Sequence, residues 1–192
     1  MNKHKIYQIK DILSTFLINS SYNLVTRETG KKIREAVEVM LAKEKEGAII
    51  VLDFEGIGII DYSCADEIMA KLITRLNSGE YGDKYIILKV SNPTQKENIE
   101  VALERKKLAV LSFGEDNPWQ ILGVLNTYLK DTLTYILEKG KVSARGLADL
   151  MNLEINTSST RLLNLYKLHL VRRTEELLEE RGRQFVYESI LS

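Results

Sequence analysis

The chain has 192 residues, 44% of them hydrophobic and 28% charged, the composition of an ordinary globular protein, which argues against a disordered or fibrous class. Its 27 Lys and Arg balance 27 Asp and Glu, so no global basic field draws in nucleic acid and any such contact depends on local arrangement. One cysteine, Cys64, excludes an internal disulfide and, without a Cys/His cluster, a thiolate zinc site, in keeping with a reducing cytosol.

The N-terminal stretch MNKHKIYQIKDILSTFLINS is basic but broken by Gln8, Lys10 and Asp11. Neither a signal-peptide core nor a membrane span is expected there, and a cytoplasmic location with no membrane contact follows as the expectation. From about 24 to 113 helix and strand patterns alternate. Ile33, Val37, Met40 and Leu41 form a helical stripe that ends near Gly47. The run AIIVLDF at 48–54 reads as a buried strand, and 64–76 as a helix with Ile68, Met69, Leu72, Ile73 and Leu76 inward. YIILKV at 85–90 is a second strand. Asn92 caps a helix with Pro93 at its first position, running to about Lys106. A third strand spans 108–113. These lengths predict a small α/β layer with a mainly parallel sheet. GEDNP at 114–118 is turn chemistry, and 119–125 reads either as a returning edge strand or as the lead into the next helix.

After 124 the pattern is mostly helical. Leu125, Leu129, Leu133, Ile136 and Leu137 make one stripe that stops at Gly140. Ser143 caps a short second helix with Leu147, Ala148 and Met151 inward, and the chain breaks around 152–155. Asn156 or Thr157 opens a third helix that buries Leu162, Leu165 and Leu168, leaving Ser158, Ser159, Arg161 and Asn164 to lie outside. Extended runs at 170–177 and 184–190 flank the charged turn EERGR, whose Gly182 supplies a positive φ.

The segments SARGLADLMN, NTSSTRLLNLYKLHLVRR and RGRQFVYESI together resemble the winged helix-turn-helix of bacterial ArsR- and MarR-type regulators, with His169 standing where many relatives have Gly. The resemblance implies that the third helix enters the major groove of double-stranded DNA. Thr157, Ser158, Thr160, Arg161 and Asn164 would then lie near base edges, Lys167 near phosphate, and Arg181 and Arg183 on the flanking backbone or minor groove. Ten Lys and Arg stand against nine Asp and Glu from 124 onward. That near-neutral balance keeps protein docking open beside DNA binding, because DNA affinity draws on phosphate neutralisation.

The stretch VLDFEGIGIIDYSCADEIMAKL, preceded by SYNLVTRETGKKIREAV, resembles STAS-like proteins related to anti-sigma-factor antagonists. In that family an Asp precedes two hydroxyl residues and a Gly at a helix start, the first hydroxyl being phosphorylated. Asp61 matches the Asp, Tyr62 falls at the acceptor position, Ser63 matches the second hydroxyl, and Cys64 takes the place of Gly. The resemblance makes Tyr62 and Ser63 candidates for phosphorylation or partner contact. Residue chemistry alone reads Ser63 as an N-cap with Asp66 three residues on, and Asp61, Asp66 and Glu67 as solvated acids favourable to a helix start. Cys64 reads as a packing residue.

The expected architecture is therefore an α/β STAS-like domain at 1–118 followed by a small α+β winged helix at 119–192. The expected function is transcription regulation through DNA, with a kinase-like protein partner at the first domain and a homodimer as the assembly. The alternative is a partner-switching protein that touches no DNA. No cofactor, no metal and no catalytic constellation are expected.

Overall fold

The computed structural model describes residues 4–16, 21–113, 118–178 and 182–191. The chain is a mixed α/β protein that divides into two compact units, Lys3–Leu125 and Asn126–Ser192.

In the first unit β1 (Lys5–Gln8), β2 (Ile49–Asp53), β3 (Tyr85–Lys89), β4 (Ala109–Phe113) and β5 (Gln120–Gly123) form one sheet in that order. The first four run parallel and β5 returns antiparallel. A single register row, Ile6, Val51, Ile87, Leu111 and Ile121, crosses all five strands. Between the parallel strands lie α1 (Ile9–Ser14), α2 (Arg27–Ala42), a helical segment made of α3 (Tyr62–Ala65), a π-helical turn (Asp66–Ala70) and α4 (Lys71–Asn77), and α5 (Pro93–Arg105). Right-handed crossovers between strands in simple sequential order place successive helices on one side of the sheet. The core reflects this: Tyr7, Ile50, Leu52, Ile86, Leu88, Val110 and Leu122 alternate along their strands and join Leu13, Ile33, Val37, Ile68, Leu72, Ile99 and Leu103 in one cluster.

Most expected elements form. Asn92 accepts from the backbone N–H groups of Thr94 and Gln95 with Pro93 in the first turn, so the cap and the fixed proline φ start α5 together. β5 resolves the open reading of 119–125 in favour of an edge strand, and the units therefore divide after Leu125, later than the expected boundary. β1 and α1 were not foreseen: a four-residue strand followed directly by a six-residue helix is too short for a periodicity to register. Of the expected turn at 114–118, residues 114–117 lie outside the described residues.

The second unit holds α6 (Thr127–Lys139), β6 (Lys141–Ser143), α7 (Ala144–Met151), α8 (Ile155–Lys167), β7 (Val171–Leu178) and β8 (Gly182–Ser189), with the strands ordered β6-β8-β7 and antiparallel. Gly140 at φ 86° ends α6 in a backbone conformation that favours glycine, and Asn152 at φ 51° ends α7 in the left-handed conformation that closes helices. Ser143 caps α7 by accepting from Gly146 N. α8 begins at Ile155 with Glu154 at the cap position, not at Asn156 or Thr157. His169 takes φ 54° just beyond α8 and is buried, where a residue with a Cβ carries strain that Gly would avoid.

Candidate nucleic-acid interface

α8 has three sides with different neighbours. Ser158, Leu162 and Leu165, spaced at i, i+4 and i+7, face the core of the second unit and are fully buried. This corrects the expectation for Ser158: its hydroxyl is enclosed, has no hydrogen-bond partner, and cannot reach a ligand in solvent. The remaining residues expected at base edges stay together. Tyr128, Asn156, Thr157, Thr160, Arg161 and Asn164 line an open cleft of about 440 Å³ between α6 and α8. The Arg161 guanidinium lies 5.3 Å from the centre of the Tyr128 ring, a cation–π distance that orients the side chain without neutralising it. Thr157, Thr160 and Lys167 are exposed.

Arg183 is elsewhere. It lines a separate cleft of about 280 Å³ with Arg145, Ile155, Ser159 and Gln184. At 100° per residue Ser159 and Arg161 point to nearly opposite sides of α8, so Arg161 and Arg183 flank the helix from two directions. Arg181 lies outside the described residues. Sequence reasoning missed Arg145, while Ser159 is exposed on the outer side where it was expected. The signal was present, since Arg145 follows the Ser143 cap by two residues and enters the exposed first turn of α7.

The cations of the small sheet are mostly engaged. Lys141 pairs with Glu176 at 3.1 Å, Arg172 with Glu188 at 3.1 Å, and Arg183 with Glu175 at 3.6 Å. Arg173 lies between the rings of Tyr166 and Phe185, 4.3 and 4.4 Å from their centres, and so braces α8 against the sheet. The exposed pairs of Lys141 and Arg183 contribute only about 0–1 kcal/mol each and exchange partners readily, while the Arg172 pair is half-buried.

In the first unit the resemblance-derived candidates Tyr62 and Ser63 sit at the start of α3. Asp61, not Ser63, is the N-cap: its Oδ1 accepts from Cys64 N at 2.8 Å and from the Ser63 hydroxyl at 2.9 Å. Tyr62 lies under the Arg105 guanidinium at 4.5 Å. Both hydroxyl residues are half-buried.

Asp66 and Glu67 differ from their expectation as solvated acids. Both are buried, at 7% and 2% exposure. Arg27 donates to Asp66 at 3.1 Å and to Glu67 at 2.9 Å, and Lys71 also donates to Glu67. Arg34 pairs with Glu38, which further accepts from Arg75 and Tyr81. Burial pushes the Glu67 carboxyl up, but the hydrogen bonds from Lys71 and Arg27 outweigh it and hold the group below its ordinary value. Glu38 is held low in the same way. Cys64 is enclosed, with its Sγ donating to Thr26 O, and burial together with Asp61 pushes the thiol up to about 11.

Among the described residues no group of His, Cys, Asp and Glu is placed to hold a metal ion, and no helix is long and apolar enough to cross a membrane. No family model matches the chain, and a comparison with curated proteins finds no match.

Proposed function

We propose that the chain is a DNA-binding transcription regulator whose Asn126–Ser192 unit works as a winged helix-turn-helix, with a STAS-like first unit that receives a protein partner or signal, acting as a homodimer and not as an enzyme. The observation that carries the reading is the outer side of α8. There hydroxyl, amide and cationic side chains, Thr157, Thr160, Arg161, Asn164 and Lys167, are exposed or half-buried opposite the buried Ser158, Leu162 and Leu165. The paired strands β7 and β8 lie on the flank that carries Ser159 and Arg183. Residues of these types form base-edge and phosphate contacts in a major groove. The short α7, capped by Ser143 just ahead of α8, supports the same reading.

A specific observation favours a second reading. The ion pairs of Lys141, Arg172 and Arg183 leave the small sheet with little free positive charge, which suits a unit that docks a protein in a partner-switching system, including a kinase-like partner at the first unit.

Gel shift with a pool of random duplexes, at increasing salt, separates the two. On the DNA reading the full chain retards duplex at about 50 mM salt, and its affinity falls steeply as salt rises. Selection and sequencing of the bound fraction then yields a recurring site. No retardation at low salt overturns the DNA reading.

A further inference from the structure

A cavity of about 370 Å³ in the first unit is lined by Arg34, Asp66, Ala70, Lys71, Thr74, Arg75 and Lys106. It lies along the outer side of the π-helical turn and α4, where Asp66, Ala70 and Thr74 follow at intervals of four. Its floor is small and apolar, since Ala70 presents only a methyl group. Its walls hold four cations against one carboxylate. Three of the cations are fixed from behind by acids: Arg34 and Arg75 by Glu38, and Lys71 by Glu67. Lys106 is exposed and has no acid partner among the described residues.

One buried acceptor at this place lacks a partner. The Oδ1 of Asp66, a residue 93% buried by its 7% exposure, has no hydrogen bond, whereas the Nε of the equally enclosed Arg34 faces Glu67 Oε2 at 3.7 Å. An unmade hydrogen bond on a buried group costs about 1–3 kcal/mol, so the open acceptor of Asp66 points to an occupant that donates to it. The cavity falls in the size range of small-molecule sites. π-turns are uncommon and concentrate at functional sites.

From this we infer that the cavity binds a phosphate monoester of a hydroxylated molecule, of the size of a sugar phosphate or nucleoside monophosphate. Lys71, Arg75 and Lys106 take the phosphate, and Asp66 accepts from a hydroxyl. Arginine and lysine so arranged form charge-assisted hydrogen bonds to phosphate oxygens, and a carboxylate beside them selects against a bare anion. The site is in the first unit and does not depend on the DNA reading of the second.

Isothermal titration of the full chain with ribose 5-phosphate, adenosine 5′-monophosphate, adenosine and inorganic phosphate tests it. The expected result is binding of at least one ester, with adenosine and inorganic phosphate each at least tenfold weaker. The two esters together tell whether a base contributes. Lys106→Ala, a change at an exposed side chain, should weaken ester binding by about tenfold, in line with loss of one charge-assisted contact, and Asp66→Asn should narrow the gap between ester and inorganic phosphate. Absence of ester binding at millimolar concentration, inorganic phosphate binding as tightly as the esters, or an unchanged affinity in Lys106→Ala overturns the proposal.

Discussion

Gly30 of α2 lies so close to Cys64 that a Cβ built on it would stand 3.0 Å from the Cys64 Cα and 3.0 Å from the Glu67 Cβ. This is where α2 meets the start of the helical segment, and it brings the Arg27 and Arg34 side chains over Asp66 and Glu67. A backbone atom cannot yield as a side-chain tip can. Gly30→Ala should therefore separate the helices, at an overpacking cost of about 1–3 kcal/mol offset by about 1 kcal/mol of helix propensity. The net expectation is a loss of roughly 1 kcal/mol, read as a lower urea midpoint with an unchanged slope. A rise in the midpoint would show that the helices have slack.

Glu67 makes this contact sensitive to acid. Its carboxyl is held below the ordinary value of 4.5 in the folded chain, so the unfolded chain takes up the proton first. The stabilisation it gives is complete above 4.5 and is lost as pH falls through the lowered folded value. Thermal midpoints should hold from neutral pH to about 5.5 and fall below 4.5. Glu67→Gln should flatten that fall and lower stability at neutral pH by about 2 kcal/mol, less than for a fully buried pair because Arg27 and Lys71 are half-exposed. An identical acid slope in wild type and Glu67→Gln would remove Glu67 from the explanation.

Cys64 should be inert in the folded chain. With its thiol pushed up to about 11 against an ordinary 9.0, the thiolate fraction at pH 8 is lower on the order of a hundredfold, and enclosure removes access as well. Alkylation by iodoacetamide should proceed in urea and be negligible in buffer. Comparable rates in the two would mean that the Thr26–Cys64 contact opens readily.

The strands and long helices were legible in the sequence because each keeps one period over enough residues: the five positions Ile68, Met69, Leu72, Ile73 and Leu76 are all buried as their spacing required. What the periodicity did not carry was charge. Asp66 and Glu67 looked solvated because their partner Arg27 is about forty residues away in sequence, and only folding brings α2 beside them. The N-cap was read as Ser63 and Asp61 as a solvated acid, because both residue types suit that place and the sequence does not show which one takes extended φ and ψ. Structure gives that place to Asp61. Ser158 was misassigned for a geometric reason: α8 starts at Ile155, and the buried positions Leu162 and Leu165 extend back by four and seven residues to Ser158 itself.

That placement gives Ser158 and Arg161 opposite behaviour. Ser158 buries a hydroxyl with no partner, so Ser158→Ala removes an uncompensated polar group and improves helix propensity, raising stability by about 1 kcal/mol while leaving any ligand affinity unchanged. Arg161→Ala should leave stability within about 0.5 kcal/mol of wild type, as for a surface change, and weaken duplex binding. Loss of duplex binding in Ser158→Ala at unchanged fold would reverse this assignment of the two faces of α8.

Glu175 offers the sharpest division between DNA binding and protein docking. It pairs with Arg183 at 3.6 Å across β7 and β8, and Glu175 and Arg183 both have exposed side chains, so Glu175→Gln should leave stability nearly unchanged. If Arg183 meets a phosphate, it must give up Glu175 on binding, and the carboxylate stays nearby to repel the duplex. Glu175→Gln then raises affinity for duplex at about 100 mM salt, and Arg183→Ala lowers it with a salt slope shallower by about 0.9, the value for one phosphate contact on B-form DNA. A C-terminal unit that docks a protein through this pair instead loses partner binding in both variants and shows no change in duplex affinity. Measured side by side in the full chain, the opposite signs for Glu175→Gln decide whether this ion pair is a brake on DNA binding or part of a protein interface.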